Sequence, residues 1–335
     1  MLDIVITHYQ EPWAVCKGQF EMLDAQRGVD WDQIRVTVVN DGGHRLPDDR
    51  LADLSYQVEQ LDIPHGGVSR ARNAGLDHAT ETWVMFCDCD DRLAGIFALA
   101  DILNVLGPEA EAAYDLMWTR CWEEGNGKDG RPVIFEIPKH KAFVFIHGKV
   151  YRRQFLLDQA IRFDEQQEFN EDSLFNAVIL TRITSARVGE IRTTEPAYCW
   201  IRRDDSVTLS PGARELSAMG QLQRNMKVAT ETMIHRPEAY GGMVTRTAYD
   251  AYFMDKTRRI SQAGKDALRA AFAPWAAEQL CVFSTANVKA DTLEKIRAVS
   301  REELTDQDEQ IPDDWETVRA WMERTAWAYL GRVVG

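Results

Sequence analysis

An apolar run that ends abruptly in acids stands at Trp83-Val84-Met85-Phe86-Cys87-Asp88-Cys89-Asp90-Asp91. Its first five residues have the composition of a strand that is buried on both faces. Alternate side chains of an extended segment point to the same side, so we expect the carboxylates of Asp88 and Asp90 to lie together. Hard oxygen ligands suit Mg²⁺ or Mn²⁺, which keep positions open for substrate phosphates. The run therefore predicts a metal site for a nucleotide diphosphate, with a solvated acidic turn as the plain alternative.

Strand and helix patterns alternate through the residues before this run. Strands are predicted at 2–7, 35–39 and 56–61, and helices at 13–26 and 68–78. This alternation favours an open, doubly wound α/β sheet that is mostly parallel. In such sheets ligands bind outside the carboxyl ends of the strands. We therefore expect the polar residues 7–11, 40–41 and 88–91 to converge on one crevice.

The pattern changes after residue 95. A helix to about 106 is followed by a strand at 115–122, a glycine-rich turn at 125–130 and a strand at 132–137, which together predict a hairpin. Helices are predicted beyond 212, at 214–235, 247–263, 265–280, 293–303 and 315–331. The sequence thus predicts an α/β domain over 1–210 and a helical region over 211–335. The acidic stretch 302–314 is interpreted as a solvated connection.

Composition narrows the function classes. The 335 residues include 39 basic and 53 acidic ones, and the formal charge of −14 opposes general binding of nucleic acid. The six cysteines lack the paired spacing of a zinc site, so we expect reduced, mostly buried thiols and a cytoplasmic protein. The amino terminus does not have the pattern of a signal peptide, and no run of about 18 apolar residues is present. Any membrane contact is expected to be peripheral.

Four motifs occur in an order and spacing that resemble the inverting glycosyltransferases of family 2, which have the nucleotide-sugar-binding GT-A fold. The resemblance covers roughly residues 1–210. The motifs are Thr7-His8-Tyr9-Gln10-Glu11, Val38-Val39-Asn40-Asp41-Gly42-Gly43, Gly67-Val68-Ser69-Arg70-Ala71-Arg72-Asn73-Ala74-Gly75 and Asp88-Cys89-Asp90-Asp91. It implies a nucleotide-binding half over 1–95 and an acceptor half over 96–210.

The resemblance also implies roles for single residues. The residues placed at the nucleotide or its phosphates are Thr7, Tyr9, Glu11, Asp41, Arg70, Arg72, Asn73 and Asp88. Asp41 would hydrogen-bond the base, the arginine forks suit phosphate, and Asp90 would be the principal metal ligand beside Asp88. Other interpretations are open at several positions. Asp41 is equally explained as a turn former before two glycines, and Asn73 as a satisfied amide inside a helix.

A second acidic constellation, Glu168-Phe169-Asn170-Glu171-Asp172-Ser173, precedes an apolar run at 174–180. It is similar to the family's E-D motif, whose aspartate takes the proton from the acceptor hydroxyl. The resemblance thus implies that Asp172 is the general base and that Glu171 lies on the acceptor side. Acids before an apolar periodic run are also the normal amino terminus of a helix.

Two further segments are similar to the family. His147-Gly148-Lys149-Val150-Tyr151-Arg152-Arg153 resembles an acceptor-side segment and implies roles there for His147 and Lys149, although a lone histidine is more often structural. Tyr198-Cys199-Trp200-Ile201-Arg202-Arg203-Asp204-Asp205-Ser206 resembles the end of the family's domain, where basic residues such as Arg202 approach the diphosphate.

The resemblance implies an inverting transferase that uses Mn²⁺ or Mg²⁺ and a nucleotide-sugar, by preference a UDP-sugar. The acceptor stays open among a glycan, a glycolipid, a protein side chain and a modified nucleic-acid base. Two other functions are considered, a nucleotidyltransferase of related fold and a noncatalytic nucleotide-sugar-binding protein. The first usually carries a basic, glycine-rich loop after its first strand, where this chain has Tyr9-Gln10-Glu11-Pro12-Trp13.

Overall fold

The structure is a computed structural model that describes residues 1–126, 131–203, 212–285, 288–306 and 308–334. The chain forms two compact units, Met1–Asp204 and Asp205–Gly335. The predicted domain boundary at residue 210 falls within 204–211, outside the described residues, as do the end of the 198–206 motif and residues 127–130 of the glycine-rich turn.

The first part of unit 1 alternates strand and helix as predicted. The elements are β1 (Leu2–His8), α1 (Trp13–Asp24), β2 (Ile34–Asp41), α2 (Asp48–Ala52), β3 (Val58–Ile63), α3 (Val68–His78) and β4 (Trp83–Asp88). Strands β1, β2 and β4 are almost wholly buried, as apolar runs covered on both faces should be.

The second part of unit 1 holds shorter elements. They are β5 (Arg92–Leu93), α4 (Ala98–Leu103), α5 (Pro108–Ala113), β6 (Leu116–Trp118), β7 (Cys121–Asn126), β8 (Pro132–Glu136), β9 (Lys149–Arg152), α6 (Arg153–Asp158), α7 (Glu171–Arg182), β10 (Val188–Glu190) and β11 (Tyr198–Ile201). The antiparallel pairing of β7 with β8 confirms the hairpin. The single strand predicted over 115–122 is wrong, because it is two strands that belong to different sheets.

Seven of the described strands form one sheet, in the order β10-β6-β9-β4-β1-β2-β3. The pairs of β1 with β2 and β4, of β2 with β3 and of β6 with β10 are parallel, whereas β9 runs antiparallel to both neighbours. Apolar side chains pack on both faces, with Ile4 in one cluster and Val5 in the other. The prediction of a mostly parallel α/β sheet is confirmed.

Unit 2 is helical, as predicted. Its described helices are α8 (Ala213–His235), α9 (Tyr240–Lys256), α10 (Gln262–Glu278), α11 (Leu280–Thr285), α12 (Ala290–Leu304) and α13 (Trp315–Val334). The helix predicted over 247–263 begins and ends seven residues too late. The chain leaves the helix at Thr257 and re-enters at Ser261, whose hydroxyl accepts a hydrogen bond from the Gly264 amide at 3.1 Å.

The interpretation of 302–314 as a solvated connection is correct for most of its described acids, which are exposed, and wrong for Glu309 and Ile311 in its middle, which are buried. Glu309 is only 6% exposed, and its carboxylate accepts hydrogen bonds from the Thr257 hydroxyl and the Arg258 amide. Ile311 is buried in the core of the unit. Glu309 therefore stabilises the non-helical residues between α9 and α10. Those residues supply the hydrogen-bond donors that its buried carboxylate needs.

Two compositional expectations can be compared with the structure. Five cysteines are buried and Cys281 is exposed, which confirms the prediction that most of the thiols are buried. Among the described helices, none combines the length and the apolar character needed to cross a bilayer.

Candidate functional site

The parallel register brings the ends of three strands together. Thr7 on β1 lies beside Asp88 on β4 and Val39 on β2, and the Thr7 hydroxyl donates to Asp88 Oδ1 at 3.1 Å. Next along β1, His8 bonds through Nδ1 to the Asn40 side chain at 2.9 Å. The predicted crevice at this edge of the sheet therefore has Asp88 at its centre.

The chain turns immediately after Asp88. Strand β4 ends there, and the Asp91 amide donates back to the Asp88 carbonyl at 3.3 Å. The alternation of side chains that led to the predicted pairing of Asp88 with Asp90 does not extend into this turn. The Asp90 carboxylate instead pairs with Arg203, with Oδ2 and Nη2 3.2 Å apart. Burial and the charge of Asp88 raise the pKa of Asp90 to about 6.

The turn brings a different acid into the centre. Ligand atoms of Asp88, Asp91 and His147 lie within 4.8 Å of one another, and His147 Nδ1 is 3.6 Å from Asp91 Oδ2. Asp91 is 2% exposed and accepts hydrogen bonds from the Tyr198 hydroxyl at 3.0 Å and the Ile201 amide at 2.8 Å. Burial, together with the charges of Asp88 and Asp90, raises the pKa of Asp91 well above its usual range.

The imidazole ring of His147 is buried and packs against an aromatic side chain. It is 4% exposed and stacks on Tyr198, with the ring centroids 4.8 Å apart. Its Nδ1 makes no hydrogen bond to any residue that the structure describes. Burial lowers the pKa of His147, which favours the neutral imidazole that a metal ion requires. These oxygen and nitrogen donors therefore fit a divalent cation.

Arg72 joins this centre to the second acidic constellation. Its guanidinium is 2% exposed and donates to Asp88 Oδ1 at 2.9 Å, to Glu171 Oε1 at 3.1 Å and to Asp172 Oδ1 at 2.5 Å. The predicted contact of Arg72 with phosphate is replaced in this structure by three carboxylates. Asp88 and Asp172, which come from distant parts of the chain, thus bind the same side chain.

Helix α7 delivers Glu171 and Asp172. The helix begins after Asn170, whose backbone is left-handed at φ 61°, a conformation that asparagine tolerates better than most residues. Asp172 Oδ2 also accepts the Ile146 amide at 2.9 Å, so both carboxylate oxygens are held in place. Burial and the neighbouring Asp172 charge raise the pKa of Glu171 to about 7.

The predicted base-binding aspartate shapes a loop. Asp41 accepts hydrogen bonds from the amides of Gly66 and Gly67, each at 2.8 Å, and lies 2.9 Å from His65 Nδ1. The Tyr9 ring stacks on His65 with centroids 4.3 Å apart, and both side chains are partly exposed. Asp41 thus holds the loop before α3 in place. The stacked rings of Tyr9 and His65 lie beside the crevice and are called the Tyr9–His65 shelf.

The other residues predicted at the nucleotide lie around this shelf or farther away. The Glu11 carboxylate accepts the Tyr9 amide at 2.7 Å. Asn73 is committed to the backbone of Phe163 in both directions, at 2.9 Å each, which favours its interpretation as a satisfied helix amide. Arg70 is exposed. Arg202 is half-exposed and pairs with Glu123 at 3.3 Å.

Lys149 lies beneath the site. Its side chain is 1% exposed, and Nζ donates to the His147 carbonyl at 3.1 Å. Burial lowers the pKa of Lys149 to about 8. The side chain thus contacts the segment that carries His147 and is not a surface that an acceptor can reach.

Sequence reasoning missed Asp91, Tyr198 and Arg203 as parts of the site. In the sequence, Asp91 is the acid that follows Asp88-Cys89-Asp90. Tyr198 is the aromatic residue that begins the 198–206 segment. No local pattern shows that Tyr198 donates to Asp91 or that Arg203 pairs with Asp90, because both contacts join segments far apart in the chain.

Known proteins resemble this chain in sequence and in fold. Residues 3–158 match the family model described as glycosyl transferase family 2. An uncharacterized glycosyltransferase, EpsJ of Bacillus subtilis (strain 168), is 24% identical over 230 residues, which make up 62% of this chain and 64% of that protein. The match thus spans less than two thirds of that relative. Crystal structures of TarS 1-349 from S. aureus with UDP and with UDP-GlcNAc are 14% and 15% identical, and the comparison covers 98% of this chain and 91% of theirs at TM-scores of 0.62.

Proposed function

We propose that this chain is a glycosyltransferase of family 2 with a GT-A fold, since residues 3–158 match that family's model, and that it moves a sugar from a UDP-sugar to an acceptor hydroxyl with inversion. The UDP nucleotide is supported by the complexes of TarS with UDP and UDP-GlcNAc. The family supports a transferase over the nucleotidyltransferase and the noncatalytic binding protein. The acceptor is proposed only as a hydroxyl compound, because acceptor contacts do not follow from the fold.

The observation that carries the mechanism is the Arg72 guanidinium between Asp88 and Asp172. Transfer by single displacement needs a base at the acceptor and a stabilised leaving group on the opposite side of the sugar. One rigid planar group in contact with both carboxylates fixes their separation. The proposed nucleotide side and the proposed base therefore belong to a single site.

Asp172 is the proposed base. Its two oxygens are held by Arg72 and by the Ile146 amide, which orients the carboxylate. It takes the proton of the acceptor hydroxyl while the hydroxyl oxygen forms a bond to the anomeric carbon. The bond from that carbon to the diphosphate oxygen breaks, and its electron pair leaves with the nucleoside diphosphate. Attack from the face opposite the leaving group inverts the anomeric configuration.

We propose that Asp88 and Asp90 hold Mn²⁺ or Mg²⁺. Asp90 is more accessible to a metal ion than Asp91. The side chain of Asp90 is 28% exposed, whereas both carboxylate oxygens of Asp91 accept hydrogen bonds. His147 supplies a neutral nitrogen nearby. When bound, such an ion neutralises charge on the departing diphosphate. For the metal to bind, the Asp90 carboxylate must release the Arg203 guanidinium and coordinate the ion in its place.

The nucleotide is proposed to lie along the Tyr9–His65 shelf, bordered by Thr7 and Glu11. The two stacked rings offer a face for a pyrimidine base. Asp41 acts by holding the loop that carries His65, and Arg70 and Arg202 are exposed cations that can reach phosphates. Arg72 acts as the counter-ion of the carboxylates.

The test is release of free nucleotide from UDP-, GDP- and dTDP-sugars with Mn²⁺. We expect slow hydrolysis of a UDP-sugar, loss of release in Asp90→Asn and a fall of about 10²–10⁴-fold in Asp172→Asn. Glu168→Gln, an exposed acid four residues before Asp172, is the matched control and should keep the native rate. No release from any donor would contradict the donor class. Release of pyrophosphate in place of nucleoside diphosphate would indicate nucleotidyl transfer.

A further inference from the structure

Unit 2 carries a surface groove of about 580 Å³ on helices α10 and α13. The volume is within the usual range of ligand sites. Four cationic side chains line it, Lys256, Arg269, Arg324 and Arg332, with Asp266 as the acid among the lining residues. A concentration of positive charge is unexpected on a chain with a net charge of −14.

A buried carboxylate holds two of these cations, Lys256 and Arg269. Asp255 is 2% exposed and lies 2.9 Å from Lys256 Nζ and 2.5 Å from Arg269 Nε. It also accepts the Trp321 indole N–H at 3.0 Å. A buried carboxylate thus holds two cationic heads and an aromatic ring in place at the groove, so these groups do not have to be ordered when a ligand binds.

The other two cations, Arg324 and Arg332, are accessible to a ligand. Arg324 and Arg332 are exposed, and within the described ranges neither lies within ion-pair distance of a carboxylate. They are eight residues apart on α13, which places them about 12 Å apart along the helix axis. This spacing suits a ligand that carries more than one negative group along an extended chain.

Small apolar residues form the rest of the lining. Ala270 and Ala273 face the groove from α10 and Ala328 from α13. They leave space between the helices and offer apolar surface to the C–H faces of sugar rings. Trp321, the one aromatic among the described residues that line the groove, is only 6% exposed. A single-stranded nucleic acid, which depends on exposed rings for stacking, therefore fits less well.

From these features we propose that the groove binds an anionic glycan, a sugar chain that carries phosphate or carboxylate groups. Guanidinium groups bind either oxyanion through paired hydrogen bonds. The inference rests on the proposed function in one respect only, namely that the bound chain serves as acceptor or extended product. Binding itself requires neither the donor nor a metal.

The test is calorimetric titration of the full chain, without donor or metal, at low salt. The probes are an oligogalacturonate, a neutral oligosaccharide of the same length and inorganic polyphosphate of matched charge. We expect at least one anionic probe to bind ten times more tightly than the neutral one, and its affinity to fall as salt is added. Binding of oligogalacturonate indicates carboxylate as the recognised group, and binding of polyphosphate alone indicates phosphate.

Matched variants locate the binding. Arg324→Ala/Arg332→Ala should weaken it at least tenfold, whereas Arg214→Ala/Arg319→Ala, which removes the same charge from the exposed Arg214 and the partly exposed Arg319 outside the groove lining, should not. Equal losses in both, or no binding of either anionic probe, would overturn the proposal. Tighter binding of an oligonucleotide of equal charge would overturn it in favour of nucleic acid. Asp172→Asn should bind normally, so failure of the transfer reaction remains a separate result.

Discussion

At the scale of single residues, Arg72 sets the electrostatics of the site. Its guanidinium is buried against Asp88, Glu171 and Asp172, so one positive charge serves three acids. Not all three can ionise at low cost in a buried place. Burial, and then the Asp172 charge, raise the pKa of Glu171 to about 7, so Glu171 takes up a proton near neutral pH. Asp172, held by the same guanidinium, is the one proposed to work ionised as a base.

Arg72→Met should destabilise the protein by about 3–5 kcal/mol, because it leaves buried carboxylates without their counter-ion. Denaturant unfolding measures the change. Arg70→Met, an exposed arginine two residues earlier on the same helix, should cost less than about 0.5 kcal/mol. Arg72→Lys should lie between the two, since an ammonium keeps the charge but lacks the planar fork. Native-like unfolding of Arg72→Met would show that Arg72 is not the counter-ion.

Glu171 should give the stability of the protein a defined pH dependence. Its pKa is about 7 in the folded chain against an ordinary value of 4.5, so between these values the folded state binds the extra proton. This contribution to stability is complete below pH 4.5 and is lost as the pH rises through 7. Glu171→Gln should remove a slope of up to about 1.4 kcal/mol per pH unit in this window. Unfolding of native and variant chains from pH 4 to 8 tests this, and the exposed Glu168→Gln should retain the native slope.

At the scale of elements, the close approach of α3 to the sheet positions Arg72. A Cβ added at Gly75 would lie 2.2 Å from Val5 Cγ1 and 3.3 Å from Val39 Cγ2. Both valines are buried strand residues, so neither can move aside freely. Glycine at this position therefore lets the helix lie on β1 and β2, with Arg72 one turn earlier and directed at the carboxylates.

Gly75→Ala should lower the stability by about 1–3 kcal/mol through overpacking, and should slow donor hydrolysis because the helix that bears Arg72 must shift. Gly18→Ala is the matched control. It lies inside α1 with no atom within 4 Å of the added Cβ, so it should gain up to about 1 kcal/mol from helix propensity. A stable Gly75→Ala with native activity would contradict the packing argument.

The sequence predicts elements better than it predicts contacts between them. The alternation over 2–88 was correct because strands buried on both faces and amphipathic helices leave clear periodic patterns. The limits of α9 were wrong because the break at Thr257 depends on Glu309, which is distant in sequence. In the site, the positions of Asp88 and Asp172 in motifs were visible, whereas Arg72 as their shared partner was not. Its partners come from two segments that are distant in sequence, the end of β4 and the start of α7, and no local pattern contains that information.

At the scale of the whole molecule, the two units have different charge environments around their principal features. The crevice of unit 1 gathers acids, which suits a metal-bound diphosphate, and the groove of unit 2 gathers cations. Each unit also has its own hydrophobic core. We therefore propose donor chemistry for the α/β unit and recognition of an anionic chain for the helical unit.

This division predicts where a nucleotide protects the backbone. UDP with Mn²⁺ at 100 times the dissociation constant stabilises its binding unit by about 2.7 kcal/mol, so hydrogen exchange should slow in β1, β2 and β4 and in the loop around Gly66 and Gly67. Mass spectrometry of peptides from the full chain measures this. Asp90→Asn should lose the Mn²⁺-dependent part of the protection, because Mn²⁺ can no longer link the nucleotide to the end of β4. Protection confined to peptides from 212–285 would place the donor on the helical unit and contradict the assignment.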